Sequence, residues 1–192
     1  RGVSWLSGQV QPAGSLASEA NSVGAAFQSR AEAAQTLKLL AAPSAPLADG
    51  AAADPDQGTE NLARRILTLN AAGRDATPLL AALRTRQNAD GGFGGAPGYA
   101  STPVDTAFAL LAMKVVAPAD TAAAAPGVAF LQARQGADGS FGLGAEADVY
   151  TTALVLTALR EWSSRFPLAT PSQRAVAFLQ SRQNAAGGFG AS

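Results

Sequence analysis

The sequence predicts an all-helical protein built from stacked helical hairpins, and three observations support this fold class. Near-copies of one stretch recur every 48 residues: RQNADGGFG from Arg86, RQGADGSFG from Arg134 and RQNAAGGFG from Arg182. A constant period of this length is typical of repeat proteins, whose units bury their apolar faces against one another. Alanine, the best helix former, dominates an apolar fraction of 47%, whereas aromatic residues make up only 6%.

The first third of the chain diverges from the clear repeats. Trp5 and Gly14 are spaced like Phe130 and Gly139, which indicates a divergent first unit. Apolar residues at helical spacing predict a helix over residues 23–42. The Pro- and Gly-rich stretch over 43–58 is predicted to be a loop. A second apolar segment, over 62–70, predicts a helix that belongs to the inner of the two layers described below.

From residue 74 each unit is predicted as a helix, a Gly-rich turn and a second helix. Prolines mark the helix starts, because proline at the first helical position loses no hydrogen bond. The helices leading into the turns are predicted over 78–87, 126–135 and 171–183, and those following them over 103–116 and 147–163. The leading helices have one apolar stripe and the following helices are apolar on more than one face, which predicts an outer and an inner layer.

The repeated turn is predicted to be structural. Its Asp-Gly and Gly-Gly steps supply positions where a positive φ permits a tight reversal. The Gln amide offers two donors and one acceptor to tie neighbouring helices, and the Phe ring plugs the gap between hairpins. The residues with these roles are Gln87, Phe93, Gln135, Phe141, Gln183 and Phe189.

Composition argues against several classes of function. The formal net charge is zero, with 14 basic and 14 acidic residues scattered along the chain, so the basic stripe needed for nucleic-acid binding is missing. No apolar run reaches membrane-spanning length. The chain has no Cys and no His, which removes thiolate, thioester and imidazole chemistry and the ordinary zinc site. We therefore expect no metal and no cofactor.

The last turn region carries a recognisable pattern. A basic and a small residue precede an aromatic, an aliphatic, a Gln, a Gly and a second aromatic: Arg174-Ala175, Phe178-Leu179, Gln183, Gly187 and Phe189. This pattern resembles the repeat of squalene and other terpenoid cyclases and of protein prenyltransferase β subunits. A looser version occurs at the start of the chain, at Arg1-Gly2, Trp5-Leu6 and a displaced Gln9. The resemblance implies an α/α toroid of inner and outer helices.

The active sites known in such families do not carry over to this chain. The prenyltransferase zinc site needs Asp, Cys and His ligands, and the thioester domains of related rings need a Cys. Cyclases that protonate an alkene use an Asp-rich run, and the nearest candidate here, Asp54-Pro55-Asp56, lies among predicted loop residues. The resemblance therefore supports the fold and leaves the chemistry open.

Polar residues near the starts of the two inner helices form the candidate ligand site. The resemblance implies that ligands bind in a central cavity near these helix starts. Hydroxyl groups, an acid and an aromatic ring are suitable groups for lining such a pocket. The alternative is helix capping, since Asp and Thr cap first turns. Aligning the two helices on their valines places Asp105 opposite Tyr150 and Thr106 opposite Thr151. The candidates are Tyr99, Asp105, Thr106, Asp148, Tyr150, Thr151 and Thr152.

Two charged clusters have less specific interpretations. The acidic cluster is Asp49, Asp54, Asp56 and Glu60. It could be a calcium loop, but the glycine is misplaced and the distal Glu is too close, so a solvated loop with capping Asp is favoured. The basic residues Arg64, Arg65, Arg84 and Arg86 are predicted to lie on solvated outer faces or to pair with nearby acids.

Taken together, these observations predict one toroid domain over residues 1–192, with divergent units over 1–73 and clear repeats over 74–192. Related rings have about six hairpins, and this chain has four turn motifs, or five if residues 43–58 are a degraded turn, so an incomplete ring or arc is expected. The chain begins without Met, and we expect it to belong to a larger bacterial protein. Absence of Cys leaves the compartment open, with a periplasmic or extracellular location expected over a cytoplasmic one.

The predicted function is a non-catalytic binding or structural module. It presents a concave helical surface or open edges to a protein partner, to the remainder of its own chain, or to a small hydrophobic ligand. Two alternatives stay open: a cyclase-like or prenyltransferase-like enzyme fragment acting on an isoprenoid, and a carrier of a corrinoid or other small molecule.

Overall fold

The computed structural model describes residues 2–17, 26–143 and 146–189, and the regular secondary structure of this part of the chain is almost entirely helical. Its helices, in chain order, are α1 (Gly2–Gln9), α2 (Ala26–Leu39), α3 (Ala45–Ala52), α4 (Thr59–Ala71), α5 (Thr77–Arg84), α6 (Pro103–Val116), α7 (Thr121–Arg134), α8 (Val149–Trp162) and α9 (Ala169–Ser181). Two short strands, β1 (Gly142–Leu143) and β2 (Glu146–Ala147), pair in antiparallel fashion. The predicted all-helical class is confirmed.

The chain forms two compact units, residues 1–83 and residues 84–192. In the first unit α2 packs against α4, α3 lies against both, and α1 contacts α2. In the second unit α6 packs against α8, and each of them also packs against the helix that follows it, α7 and α9. Inner helices thus pack on one another and on an outer helix. The assignment of the whole chain to one domain stays a prediction.

Burial distinguishes the two layers. In α6 the consecutive residues Ala107, Phe108, Ala109 and Leu110 are all buried, and four successive residues cannot share one face of a helix. The outer helix α9 instead buries only Ala175 and Phe178 among its residues. This difference agrees with the predicted asymmetry between inner and outer helices.

Several helix boundaries differ from the predicted ones. Helix α7 begins at Thr121, five residues before Pro126, because Asp120 caps it by accepting a hydrogen bond from the Ala123 amide at 3.1 Å. Pro126 therefore lies inside the helix rather than at its start. The helices leading into the turns also end before the Gln of the motif, and Gln87 and Gln183 instead pair with the Phe of their own turns. Helix α6 has the predicted bounds, with Thr102 as its N-cap.

The predicted loop over 43–58 is partly wrong, because it contains α3. Pro46 lies in the first turn of this helix, where its missing N–H costs nothing. The predicted helix over 23–42 corresponds to α2, which ends at Leu39, where Ala41 takes a positive φ of 52°. Residues 23–25 lie outside the described part of the chain.

Trp162 joins the two inner helices of the second unit. Its indole Nε1 donates a hydrogen bond to the Leu110 carbonyl oxygen at 3.0 Å, and its side chain is fully buried. The Lys114 ammonium lies 4.9 Å from the centre of the ring, a cation–π distance. One residue at the end of α8 thereby fixes its position against α6.

Candidate functional site

The repeated turn has the same internal hydrogen bond in all three motif copies. The Gln87 side-chain amide donates to the Gly91 carbonyl at 2.9 Å. The equivalent bonds are those from Gln135 to Gly139, at 3.0 Å, and from Gln183 to Gly187, at 2.7 Å. Each Gln therefore closes its own turn, within the second unit.

The first unit contains a further turn of the same shape, residues 10–16, which is the first in chain order. Val10 pairs with Leu16 as Gln87 pairs with Phe93, so Val10 takes the position of the Gln and the predicted match at Gln9 is off by one residue. The sequence supports this register, since Val10 follows Trp5 at the same distance along the chain as Gln135 follows Phe130. All four turns use a glycine with positive φ: Gly14 at 78°, Gly91 at 84°, Gly139 at 90° and Gly187 at 85°.

Three of the four turns are covered by the backbone of the next outer helix. A Cβ atom on Gly91 would lie 2.5 Å from the Pro126 carbonyl oxygen of α7. Gly14 makes the same close approach to Pro46 of α3, and Gly139 to Arg174 of α9. A glycine is therefore needed at these turns both for the positive φ and for the contact.

The fourth turn in chain order, residues 183–189, keeps this geometry, but no outer helix in the described part of the chain covers it, and we call it the open turn. A Cβ atom on Gly187 would meet only the side chain of its own Gln183, at 3.9 Å, among the described atoms. The exposed fraction of Phe189 is 51%, against 0% for Phe93 and 1% for Phe141. A surface that is buried twice within the second unit is thus presented outward a third time.

The covered turn at 135–141 shows which groups such a cover supplies. Gln135 donates to the Pro171 carbonyl of α9 at 2.9 Å, and the Arg174 guanidinium donates to the carbonyls of Gly136 and Ala137 at 2.7 and 3.1 Å. The covering helix α9 therefore contacts the turn through backbone carbonyls and through the guanidinium of Arg174. In the same turn hydrogen bonds from Ser140 lower the pKa of the Asp138 carboxyl.

The buried threonines of the inner helices bind the turns. The Thr106 hydroxyl accepts a hydrogen bond from the Phe93 amide at 2.9 Å, and the Thr152 hydroxyl accepts one from the Phe141 amide at 2.9 Å. Thr106 is therefore equivalent to Thr152. The predicted pairs, Asp105 with Tyr150 and Thr106 with Thr151, are wrong by one residue.

The other candidate ligand residues lie at or next to the helix caps. Asp105 accepts a hydrogen bond from the Thr102 hydroxyl at 2.7 Å, and Asp148 accepts one from the amide of the buried Thr151. Tyr99 and Tyr150 are exposed, by 67% and 54%. These contacts show capping at the acids, and a ligand role for the seven residues stays a prediction.

The predicted acidic cluster is divided among separate contacts. Asp49 pairs with Arg74 at 2.6 Å, and Asp54 and Asp56 each accept a backbone amide two residues later. Glu60 pairs with Arg64 at 2.8 Å. Within residues 2–17, 26–143 and 146–189, no three acidic side chains converge as a metal-binding group.

Arg64 is buried, so the predicted solvated face is wrong for this residue, whereas the predicted pairing with acids is confirmed. It bridges Glu32 at 2.6 Å and Glu60 at 2.8 Å. Burial lowers the pKa of the guanidinium, but the hydrogen bonds to the two carboxylates outweigh it and raise the pKa overall. Arg65 is also buried, and Arg84 pairs with Asp120 at 2.7 Å. Arg86 is half-buried.

A cavity of about 530 Å³ lies in the first unit, where α2 and α4 end and α3 begins. Small residues line most of it, together with Lys38 and Ser44, and none of the seven predicted ligand residues does. Its position therefore gives no support to the predicted ligand site. No helix in the described ranges combines the length and the apolar character that crossing a membrane requires.

The comparison with known families agrees with this geometry. The model of the prenyltransferase alpha-alpha toroid domain matches residues 62–192, more than half of the chain, and this region includes the three motif turns. No curated protein matches the chain. The turns, the two helical layers and the family match lead to one conclusion: the chain belongs to the prenyltransferase alpha-alpha toroid domain family.

Proposed function

We propose that this toroid domain is a non-catalytic binding module and that the open turn is its binding surface. The partner is an α-helix of a polypeptide, which covers the open turn as α9 covers the turn at 135–141. One observation carries the proposal: the turn at 183–189 has the hydrogen bond and the positive-φ glycine of the covered turns but remains exposed.

The chemistry of the open turn suits a helix. Phe189 offers a half-exposed ring; burying a fully exposed Phe side chain contributes about 1.5–3 kcal/mol, so covering the exposed half contributes about 1 kcal/mol. Gly187 leaves room for a helix backbone to approach, as Gly139 does beneath Arg174. The exposed Gln183 side chain has a second amide hydrogen for a backbone carbonyl, the bond that Gln135 makes to Pro171.

The polar groups at the inner-helix starts support a non-catalytic role. Thr106 and Thr152 are buried and hold turn amides, and Asp105 and Asp148 hold the first turns of α6 and α8. A general acid or base must be within hydrogen-bond reach of a substrate, whereas these groups are used within the fold.

A stapled peptide with the sequence of α9 tests the proposal, because α9 is the helix that covers the turn at 135–141. The staple joins positions 173 and 177, which are exposed in the chain, and it removes the cost of forming a short isolated helix. Binding of the labelled peptide to the intact chain is followed by fluorescence anisotropy. We expect saturable binding that weakens by about fivefold in Phe189→Ser.

Val115→Ser is the control, since it also removes an exposed apolar side chain from the second unit, outside the candidate ligand residues. It should leave the affinity unchanged. Equal binding to the Phe189→Ser and unaltered chains, or no saturable binding at all, would show that the open turn does not accept a helix.

A further inference from the structure

We infer that the cavity in the first unit is a binding site for a small carboxylate with an apolar tail. This site is separate from the open turn and does not depend on the function proposed for it. It lies where α2 and α4 end and α3 begins, away from the candidate ligand residues at the inner-helix starts. Its volume of about 530 Å³ is within the range of about 300–1,000 Å³ that is usual for small-molecule sites.

The lining of the cavity is mostly apolar and has few polar side chains. Lys38 of α2 and Ser44, the residue before α3, supply the polar side chains among its described lining residues. The other lining residues are alanines, Pro43 and Gly73. A ligand with one polar end and an apolar remainder matches this distribution.

Ser44 is the observation that points to a ligand. Only 6% of this residue is exposed, yet its hydroxyl forms no hydrogen bond with the described residues and does not cap α3. The residues before three other helices, Thr102, Asp120 and Asp148, each accept an amide of the first turn. Because a buried hydroxyl without a partner costs free energy, buried polar groups are normally bonded to protein, water or ligand. The Ser44 hydroxyl is therefore available to a molecule in the cavity.

Two further donors make the polar end of the cavity electropositive. Ala45 begins α3, and its amide hydrogen has no acceptor among the described residues, whereas the Leu47 amide donates to the Ser44 carbonyl at 3.1 Å. The free amide at a helix N-terminus attracts negative charge. Lys38 adds an ammonium group, and no acidic side chain is among the described residues that line the cavity.

The helix ends that carry partial negative charge are closed by their own turns. The Leu37 carbonyl of α2 accepts the Ala42 amide at 2.8 Å, and the Leu69 carbonyl of α4 accepts the Arg74 amide at 2.9 Å. These bonds satisfy carbonyls that the end of a helix otherwise leaves free. Repulsion between the ends of α2 and α4 and an anion in the cavity is therefore reduced.

A carboxylate with an apolar tail satisfies both parts of the lining. Its oxygens can accept from the Ser44 hydroxyl, the Ala45 amide and the Lys38 ammonium, while its alkyl chain lies against alanine methyl groups. A phosphate group brings more charge and more acceptor oxygens than these donors satisfy, and an alkylammonium ion would be repelled by Lys38. The occupant is therefore a short alkyl carboxylate.

NMR titration of the intact, isotope-labelled chain with sodium hexanoate tests the inference. The lysines of the chain are Lys38 and Lys114, and reductive methylation with labelled formaldehyde marks both while keeping their charge. We expect hexanoate to shift the Lys38 methyl signal and the Ala45 amide signal along one saturation curve and to leave Lys114 unmoved. Acetate has the same head group without the tail and should bind at least about tenfold more weakly. Hexylammonium should move neither signal.

Substitutions of the two polar side chains locate the site. Ser44→Ala should weaken hexanoate binding by about tenfold and Lys38→Met by about fivefold, both followed at the Ala45 amide. Lys38→Arg keeps the charge and should retain most of the affinity. Ser4→Ala removes an exposed hydroxyl from α1 and should leave the affinity unchanged. Lys38 is exposed and Ser44 makes no cap bond, so circular dichroism should show unchanged helix content in all four variants.

Four results would overturn the inference. The first is that hexanoate moves neither the Lys38 nor the Ala45 signal. The second is that hexylammonium moves them as hexanoate does, which would indicate an apolar cavity without a preference for anions. The third is that inorganic phosphate binds more tightly than hexanoate, and the fourth is that Ser44→Ala or Lys38→Met binds hexanoate as the unaltered chain does.

Discussion

Thr152 connects the third turn to the inner layer through one buried hydrogen bond. Its hydroxyl accepts from the Phe141 amide and is itself within reach of carbonyls at Phe141 and Asp148. Valine has the same shape without the acceptor, so Thr152→Val leaves the Phe141 amide unsatisfied. We expect the free energy of unfolding to fall by about 1–3 kcal/mol, measured by urea denaturation.

Thr157→Val in the same helix is the control for that substitution. Thr157 is exposed and its hydroxyl bonds only the Ala153 carbonyl of its own helix, so the change should be within about 0.5 kcal/mol. Equal losses in the two variants would show that helix propensity, rather than the turn contact, sets the cost.

Ala41 ends α2 in a conformation that suits glycine. Its φ is 52°, and the equivalent position after α4 is Gly73, with a φ of 72°. A left-handed conformation costs an alanine about 1–2 kcal/mol, and glycine loses part of this gain through unfolded-state entropy. Ala41→Gly should therefore raise the free energy of unfolding by about 0.5–1 kcal/mol.

Ala53→Gly supplies the comparison at the end of α3. Ala53 has an ordinary φ of −85°, so glycine brings only the entropic cost and should destabilise by about 0.5–1 kcal/mol. Thermal or urea unfolding of both variants checks the opposite signs, and a loss in Ala41→Gly would contradict the interpretation.

At the scale of helices, the covered and open turns provide a matched pair of glycines. Gly139 and Gly187 have almost the same positive φ, but only Gly139 lies against the backbone of an outer helix. Alanine at either position carries the same conformational strain, and at 139 it must also displace α9. We expect Gly139→Ala to cost about 1–3 kcal/mol more than Gly187→Ala in urea unfolding. Equal costs would mean that α9 adjusts without loss.

The helices that the sequence pattern predicted best are those with clear apolar stripes and standard caps, such as α6. Helix α3 could not be recognised because Pro46 and Gly50 resemble loop residues. Gly50 is in fact required inside the helix, since a side chain there would meet the Gly14 carbonyl of the first turn. The start of α7 was mispredicted for a similar reason. Proline favours the first turn of a helix, but α7 begins at Thr121 and Pro126 lies inside it.

The sequence predicted which polar residues lie at the starts of the inner helices, but it did not predict which residue of α6 is equivalent to which residue of α8. The connection from Phe93 to Thr106 is two residues longer than that from Phe141 to Thr152. Aligning the helices on their valines hid this difference, because only the buried hydrogen bond reveals which Thr holds the turn. The sequence predicted open edges, but the motif alone does not distinguish the open turn from the covered turns, since the three copies are nearly the same.

At the scale of the whole molecule, the balance of charge bears on association. The chain has 14 basic and 14 acidic residues, and the proposed contact with a helix centres on Phe189. Salt screens exposed charges but leaves an apolar contact largely unaffected. We expect the dissociation constant of the stapled α9 peptide to change by less than about twofold between roughly 0.05 and 0.5 M NaCl. Fluorescence anisotropy at both salt concentrations checks this, and a weakening of about tenfold at the higher concentration would point to ion pairs instead.

The two tryptophans of the chain give it a built-in optical readout. Trp162 is fully buried against α6, whereas Trp5 is largely exposed on α1. Indole emission moves to longer wavelength in a polar, mobile solvent, so red-edge fluorescence and its quenching by iodide belong to Trp5. Blue-edge emission belongs to Trp162 and reports on the integrity of the inner layer. One spectrum of the unlabelled protein therefore distinguishes unfolding of the second unit from a change at the surface of α1.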